Sequence, residues 1–262
     1  MARKPVPSWL RQLGRLLALA VLCTAALQLT FALRVAAMAV IDPQSTAFQR
    51  SEAWRLLSAT GSLPWRQDWV DGARISPHLA RAVIASEDGG FADHAGFDWE
   101  ALERAWDRNA RAEAQAARAR PSGGSHGAVG ASTGRRAAEP RLVGGSTITQ
   151  QLAKNLFLSG ERTVWRKAQE FAITVMLEAL LSKRRILEIY LNSVEWGSGV
   201  FGAQAAAQHY FRTDAGRLSP EQAARLAVML PAPKRFERLP GSPYLAARTA
   251  SVQARMGMAV LP

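Results

Sequence analysis

The longest uninterrupted apolar pattern in the chain lies near its N-terminus. Leu16 to Leu33 reads LLALAVLCTAALQLTFAL, 18 residues without a charge, close to the roughly 20 needed to cross a bilayer core as a helix. The run has no polar face, unlike a helix laid on the core of a soluble lobe. Arg3, Lys4, Arg11 and Arg15 precede it. Positive flanks stay in the cytoplasm, so residues 1–15 are expected as a cytoplasmic tail, 16–33 as a transmembrane signal-anchor, and the rest outside. A cleaved secretory signal is the competing reading, with Ala37-Met38-Ala39 as its cleavage site. Such signals have apolar regions of roughly 7–15 residues, and the length here favours an uncleaved anchor.

Beyond the anchor, residues 34–64 show no clear period and read as a stalk. From Trp65 to Pro262 the apolar positions recur with helical spacing. Ser76-Pro77 opens a helix with proline in its first turn, and Trp99 to Ala110 continues as a second run. Ile148, Leu152 and Leu156 repeat every four residues. Trp165 to Leu181 is apolar over a broad face, with Ser182-Lys183-Arg184-Arg185 after it. Ile186 to Asn192 and Gly202 to Phe211 follow, and Ser219-Pro220-Glu221 supplies a cap, a proline and an acidic first turn. No alternating strand pattern is sustained, so the fold class is mainly α, one domain over 65–262.

Residues 110–140 interrupt this pattern. The second part, rich in glycine, serine and alanine, holds no large apolar residue and is expected to be a flexible, weakly basic insert. The formal net charge of +12 calls for an acidic partner, and nucleic acid, anionic lipid or a pyrophosphate all qualify. Cys23 is the only cysteine, so no disulfide forms within the chain.

Three segments carry candidate chemistry. In IASEDGGFADHAGFD an apolar helix runs into Glu87 and Asp88. Acidic groups at a helix C-terminus oppose its dipole. A carboxylate beside apolar residues has a raised pKa and serves as general base or acid, although a solvated turn would look the same. In GGSTITQQLAKN, Gly144-Gly145-Ser146 lead into a capped helix start of the kind that binds anions. Thr147, Gln151, Lys154 and Asn155 then form one donor-rich face. An ordinary amphipathic helix explains the apolar face but not this choice of amides and hydroxyls. In WRKAQE, Arg166 and Lys167 precede Glu170 by four and three residues and share its side of a helix. That is either a surface ion pair of small worth or a carboxylate held by cations that contact phosphate. Glu195 beside Trp196 reads as a turn, and the four histidines have no metal-ligand spacing.

Taken in order, these segments resemble the peptidoglycan glycosyltransferases, the polymerase domains of class A penicillin-binding proteins and their stand-alone relatives. The likeness is strongest to the monofunctional biosynthetic transglycosylases. EDGGFADHAGFD and GGSTITQQLAKNLFL look like the first two family motifs, RKAQEFAITVMLEALLSKRRILEIYLN like the third and fourth, and LSPEQAARLAVMLPAPKRF like the last. The resemblance runs from about Pro77 to Phe236, apart from the insert, which is longer than the family's link. It implies a lysozyme-like helical lobe with a small membrane-facing jaw, after one transmembrane helix in a bacterial inner membrane. It places catalytic carboxylates at Glu87 and Glu170. It places substrate contacts at Asp88, Ser146, Thr147, Gln151, Lys154, Asn155, Arg166 and Lys167.

The reaction so implied joins the growing strand, held on undecaprenyl pyrophosphate, to the 4-hydroxyl of lipid II with inversion. The partners are then lipid II, the lipid-linked glycan strand, the inner membrane and other wall-synthesis or division proteins, not nucleic acid. No cofactor is assigned, and a divalent cation (Mg or Mn) at the pyrophosphate stays open, with no metal ligands assigned. Glu87 would take the hydroxyl proton. A pyrophosphate leaving group needs positive charge rather than a protonating acid, and Lys154, Arg166 and Lys167 supply it. A lytic transglycosylase or lysozyme is the nearest alternative, but its second carboxyl must donate a proton, a poor role for Glu170 among cations. A non-catalytic membrane scaffold is the alternative of another class.

Overall fold

The computed structural model describes residues 8–118, 145–158, 160–161 and 163–262. Within them, the chain forms eleven α-helices and one small sheet.

Helix α1 (Ser8–Ala37) contains the apolar run and is long and apolar enough to cross a membrane. Its leucines and Val21 point outward, Leu16, Val21 and Leu33 each being more than half exposed. The last turns are tied to the lobe. Gln28 and Gln169 exchange amide hydrogen bonds at 2.8 and 3.1 Å. Phe31 meets Phe157 edge-on, and Val35 is fully buried.

The segment expected as a stalk is instead largely part of the lobe. Helix α2 (Ala47–Thr60) starts with a reciprocal Thr46/Gln49 cap and packs against α5 (Ile148–Phe157). Its buried side chains are Gln49, Glu52 and Leu56. Gln49 reaches the Ser193 carbonyl, and Glu52 pairs with Lys234 at 2.6 Å. Two of the three are polar, so a search for apolar period does not see this contact.

Helix α3 (Pro77–Glu87) packs on α9 (Pro220–Met229), and α9 on α11 (Pro243–Arg255). Half of the buried residues of α9 are alanines, Ala223, Ala224 and Ala227, beside Leu226, Val228 and Met229. Small side chains let the neighbouring helices approach closely. α5 lies between α2, α6 (Val164–Leu180) and α7 (Lys183–Ser193), and Ile148, Leu152, Ala153 and Leu156 are at most 1% exposed. The four-residue period therefore faces the core, each such aliphatic side chain contributing roughly 1.5–3 kcal/mol by burial. Helices α8 (Ala203–Phe211) and α10 (Pro233–Arg238) complete the lobe.

Helix α4 (Trp99–Arg118) continues past Ala110 into the segment expected as an insert. The remainder of that insert lies outside the described residues. Near the start of α4, Trp99, Leu102 and Trp106 are exposed, and Phe97 stacks on both Trp99 and Phe171.

Three short strands also occur, in the order β1–β3–β2: β1 (Arg66–Gln67), β2 (Glu195–Gly197) and β3 (Val200–Phe201). β1 runs parallel to β3, and β2 antiparallel to it. Gly199 in the turn has φ +72°, and a Cβ there would lie 1.9 Å from the Pro64 carbonyl oxygen. Strands this short leave no alternating signature in sequence.

Candidate active site

Glu87 is the last residue of α3, and Asp88 caps that helix by donating its N–H to Ile84. The two neighbours face different surroundings. Glu87 is half-buried and accepts a 2.9 Å hydrogen bond from the Gln151 amide. Burial pushes its carboxyl above the ordinary value; the Gln151 bond opposes this, and the Asp88 charge adds to it.

Asp88, expected to touch substrate, is turned inward with a side chain 1% exposed. One oxygen accepts from the Ile148 N–H at 3.0 Å, and the other lies 2.8 Å from His94 Nε2. The Gly96 N–H donates to His94 Nδ1 at 3.2 Å, so Nε2 carries the proton toward Asp88. This corrects the reading of the α5 start as an open anion site. Its first N–H is already taken by the chain's own carboxylate. Thr147 is likewise committed: it caps α5 by accepting from the Gln150 N–H and donates to the Gly96 carbonyl at 2.7 Å. Gly96 has φ +83°, and a Cβ on it would meet Thr174 Cγ2 at 2.7 Å. The first and second motifs are thus locked together through Asp88, His94, Gly96 and Thr147. Ser146 stays exposed just ahead of the cap.

Gln151 projects from α5 toward Glu87, and its orientation is set from behind. The hydroxyl of fully buried Tyr190 donates to Gln151 Oε1 at 2.9 Å, which turns the amide nitrogen to Glu87. Burial, with help from Glu87 and Asp88, holds the Tyr190 hydroxyl well above its usual pKa, so it stays a donor. Sequence analysis left Tyr190 in an apolar stripe, because nothing local distinguishes a core tyrosine from one whose hydroxyl faces a site.

One turn beyond Gln151, Lys154 faces the third motif. Solvent still reaches it, but desolvation lowers its pKa; Glu170 opposes that, and Arg166 and Lys167 reinforce it. On α6, Thr163 caps the helix, and Arg166 Nη1 donates to Glu170 at 2.8 Å while Lys167 bonds the other oxygen. Glu170 is 4% exposed, so the pairing is a held carboxylate rather than a loose surface contact. The Arg166 Nε is buried without a partner among the described residues. Asn155 is half-buried beside Lys154. The structure therefore sets Gln151, Lys154, Arg166, Lys167 and Glu170 along α5 and α6, with Glu87 at the end of α3 bonded to Gln151, and turns Asp88 and Thr147 inward behind them.

A desolvated carboxylate at one end of a polar helix face, with a cluster of cations at the other, is an arrangement suited to acid–base chemistry on a substrate with an anionic group. The sequence profile of the transglycosylase family matches residues 56–257, and the chain belongs to that family. A biosynthetic peptidoglycan transglycosylase of Burkholderia thailandensis is 50% identical over 260 residues, 99% of this chain and 90% of the relative. One of Paraburkholderia xenovorans is 46% identical, covering 97% and 94%, and one of Cupriavidus metallidurans 46%, covering 97% and 99%.

Proposed function

We propose that this chain polymerises peptidoglycan glycan strands from lipid II, anchored by α1 in the inner membrane with its lobe on the periplasmic side. The observation that carries this is α5. It presents Gln151 to Glu87 and, one turn on, Lys154 to the Arg166–Lys167–Glu170 cluster. Glu87, its pKa raised by burial, takes the proton from the acceptor 4-hydroxyl as that oxygen attacks the anomeric carbon of the growing strand. The C–O bond to the pyrophosphate breaks with inversion, and Lys154, Arg166 and Lys167 stabilise the departing charge. Glu170 orients the two cations that bond it. Both its oxygens accept from them, which suits a holder of cations and not a proton donor of the glycosidase type.

The residues do not suit a metal at this point. Glu170 is occupied by Arg166 and Lys167. In the one described cluster with ligand atoms within 4.8 Å of each other, Asp88, His94 and Asp98, Asp88 already accepts from the Ile148 N–H and His94, and Asp98 accepts from the Ala101 N–H. Leaving-group charge is therefore routed through the three cations. Incubating the purified protein with lipid II and separating products by length tests the reading. A ladder of long strands is expected; shortening of preformed strands, or no turnover, would overturn it.

A further inference from the structure

Lys234, on α10, stands between two buried carboxylates that the proposed reaction does not use. Its Nζ lies 2.6 Å from Glu52 Oε1 on α2 and 3.1 Å from Glu195 Oε1 on β2, and the two glutamate side chains are 5% and 8% exposed. Glu52 has a second cation, because Arg55 bonds both its oxygens. Glu195 is less well served. Its Oε1 is buried, and Lys234, although near, is not aligned to give it a hydrogen bond. The other titratable groups around it are already engaged. Glu237 of α10 accepts from the Ser198 N–H at 2.9 Å and faces His209 of α8 at 3.3 Å. Tyr210 of α8 donates to the Trp196 carbonyl at 2.8 Å, and β3 (Val200–Phe201) brings no charge.

The helix that carries Lys234 is otherwise lightly held. Its six residues bury only Phe236, its start has no side-chain cap, and it packs mainly on β2. An element with so few buried contacts opens locally at less cost than the core. It is also a wall of the recess beside Glu87, to which it brings Arg235 and Phe236.

We propose that Glu195 and Lys234 form a proton-operated latch on α10, closed while Glu195 carries its proton and loosened when it ionises. The inference concerns regulation and stands without the polymerase reading. Two carboxylates drawing on one half-buried ammonium are not both well compensated. With a proton on Glu195, Lys234 serves Glu52 alone. Once the proton leaves, the buried anion gains by reaching water, and α10 lifting from β2 opens the way. Burial accordingly pushes the Glu195 carboxyl from 4.5 to about 7; Lys234 and Arg55 oppose this, and Glu52 adds to it. A pKa higher in the closed state than in the open one favours closure at low pH. The wall beside Glu87 is therefore firm in acid and slackens as pH rises through about 7.

Hydrogen exchange of the full-length protein in lipid nanodiscs, read by mass spectrometry at pH 5.5 and pH 8, tests the latch. Rates are corrected for the intrinsic pH dependence of amide exchange. The α10 amides are expected to exchange well ahead of those of α9 at both pH values. Their corrected rate should rise roughly 10–30-fold between the two, the linkage set by a carboxyl at about 7 when closed and 4.5 when open. Glu195→Gln, which imitates the protonated carboxyl, should abolish the rise. Glu52→Gln leaves Lys234 to Glu195 alone, lowers the Glu195 pKa, and should shrink the rise. A flat rate in the parent, a rise that persists in Glu195→Gln, or α10 exchanging only in step with α9 would each overturn the latch. So would an undiminished rise in Glu52→Gln, because Lys234 would then not be shared.

Discussion

Tyr190 donates its hydroxyl to Gln151 Oε1 at 2.9 Å across a separation of 39 residues. The consequence is felt at neither residue but at Glu87. A glutamine amide has two nearly isosteric ends, and this bond decides that the N–H₂ end meets the carboxylate. Replacing Tyr190 with Phe leaves the ring in place and removes the instruction. The expected result is a stability loss of about 1–3 kcal/mol from the unsatisfied buried carbonyl, together with an altered pH profile. Gln151's bond lowers the Glu87 pKa; weakening it raises that pKa, so the acidic limb of kcat/KM moves to higher pH. A profile superimposable on the parent's would show that Gln151 keeps its orientation unaided.

Glu87→Gln preserves shape and removes the proposed base. Polymerisation is expected to fall roughly 10²–10⁴-fold, the usual worth of general base catalysis, while the melting temperature stays near the parent's. Binding of a phosphoglycolipid donor mimic should change little, because the proposed phosphate contacts, Lys154, Arg166 and Lys167, are untouched. Parental turnover in this variant would end the assignment of Glu87.

Glu170→Gln should behave differently. It releases Arg166 and Lys167 from their shared carboxylate, so both mimic binding and turnover are expected to weaken. Calorimetric titration beside the rate assay separates the two glutamates. Identical effects of the two substitutions would mean that the proposed division of labour is wrong.

Gly96→Ala tests the lock between the first two motifs. The left-handed backbone at φ +83° and the 2.7 Å approach to Thr174 both resist a side chain. A loss of about 1–3 kcal/mol, read as a lower melting temperature, is expected. An unchanged melt would show that the loop after Asp88 shifts freely.

Glu195 supplies a pH dependence away from the site. It lies beside Lys234, which bonds Glu52 at 2.6 Å and approaches Glu195 at 3.1 Å. Burial raises the Glu195 pKa to about 7, with Lys234 opposing and Glu52 adding. A carboxyl whose folded pKa lies above its unfolded value binds its proton more tightly when folded. Its stabilising contribution is therefore complete at low pH and is lost as pH rises from about 4.5 to about 7. Chemical denaturation at pH 5 and pH 8 should show a steeper decline for the parent than for Glu195→Gln. Equal slopes would mean that Glu195 stays paired and ionised throughout.

Much of this protein is legible along the chain. The long apolar helix α1 needs only a charge-free run of sufficient length. The Ile148–Leu152–Leu156 stripe announces α5, and Ser219-Pro220 announces α9, because caps and period are local properties of the backbone. Arg166, Lys167 and Glu170 lie within one and a half turns, so helical geometry alone brings them together. What tertiary structure decided is which way adjacent polar groups turn. Glu87 and Asp88 are indistinguishable neighbours in sequence, yet one faces the cleft and the other is enclosed, because only Asp88 reaches the Ile148 N–H and His94. The inclusion of α2 in the lobe and the hydroxyl of Tyr190 behind Gln151 both depend on contacts between distant segments. Hydrogen bonds and charges act at a few ångströms in space, without a period for the sequence to carry.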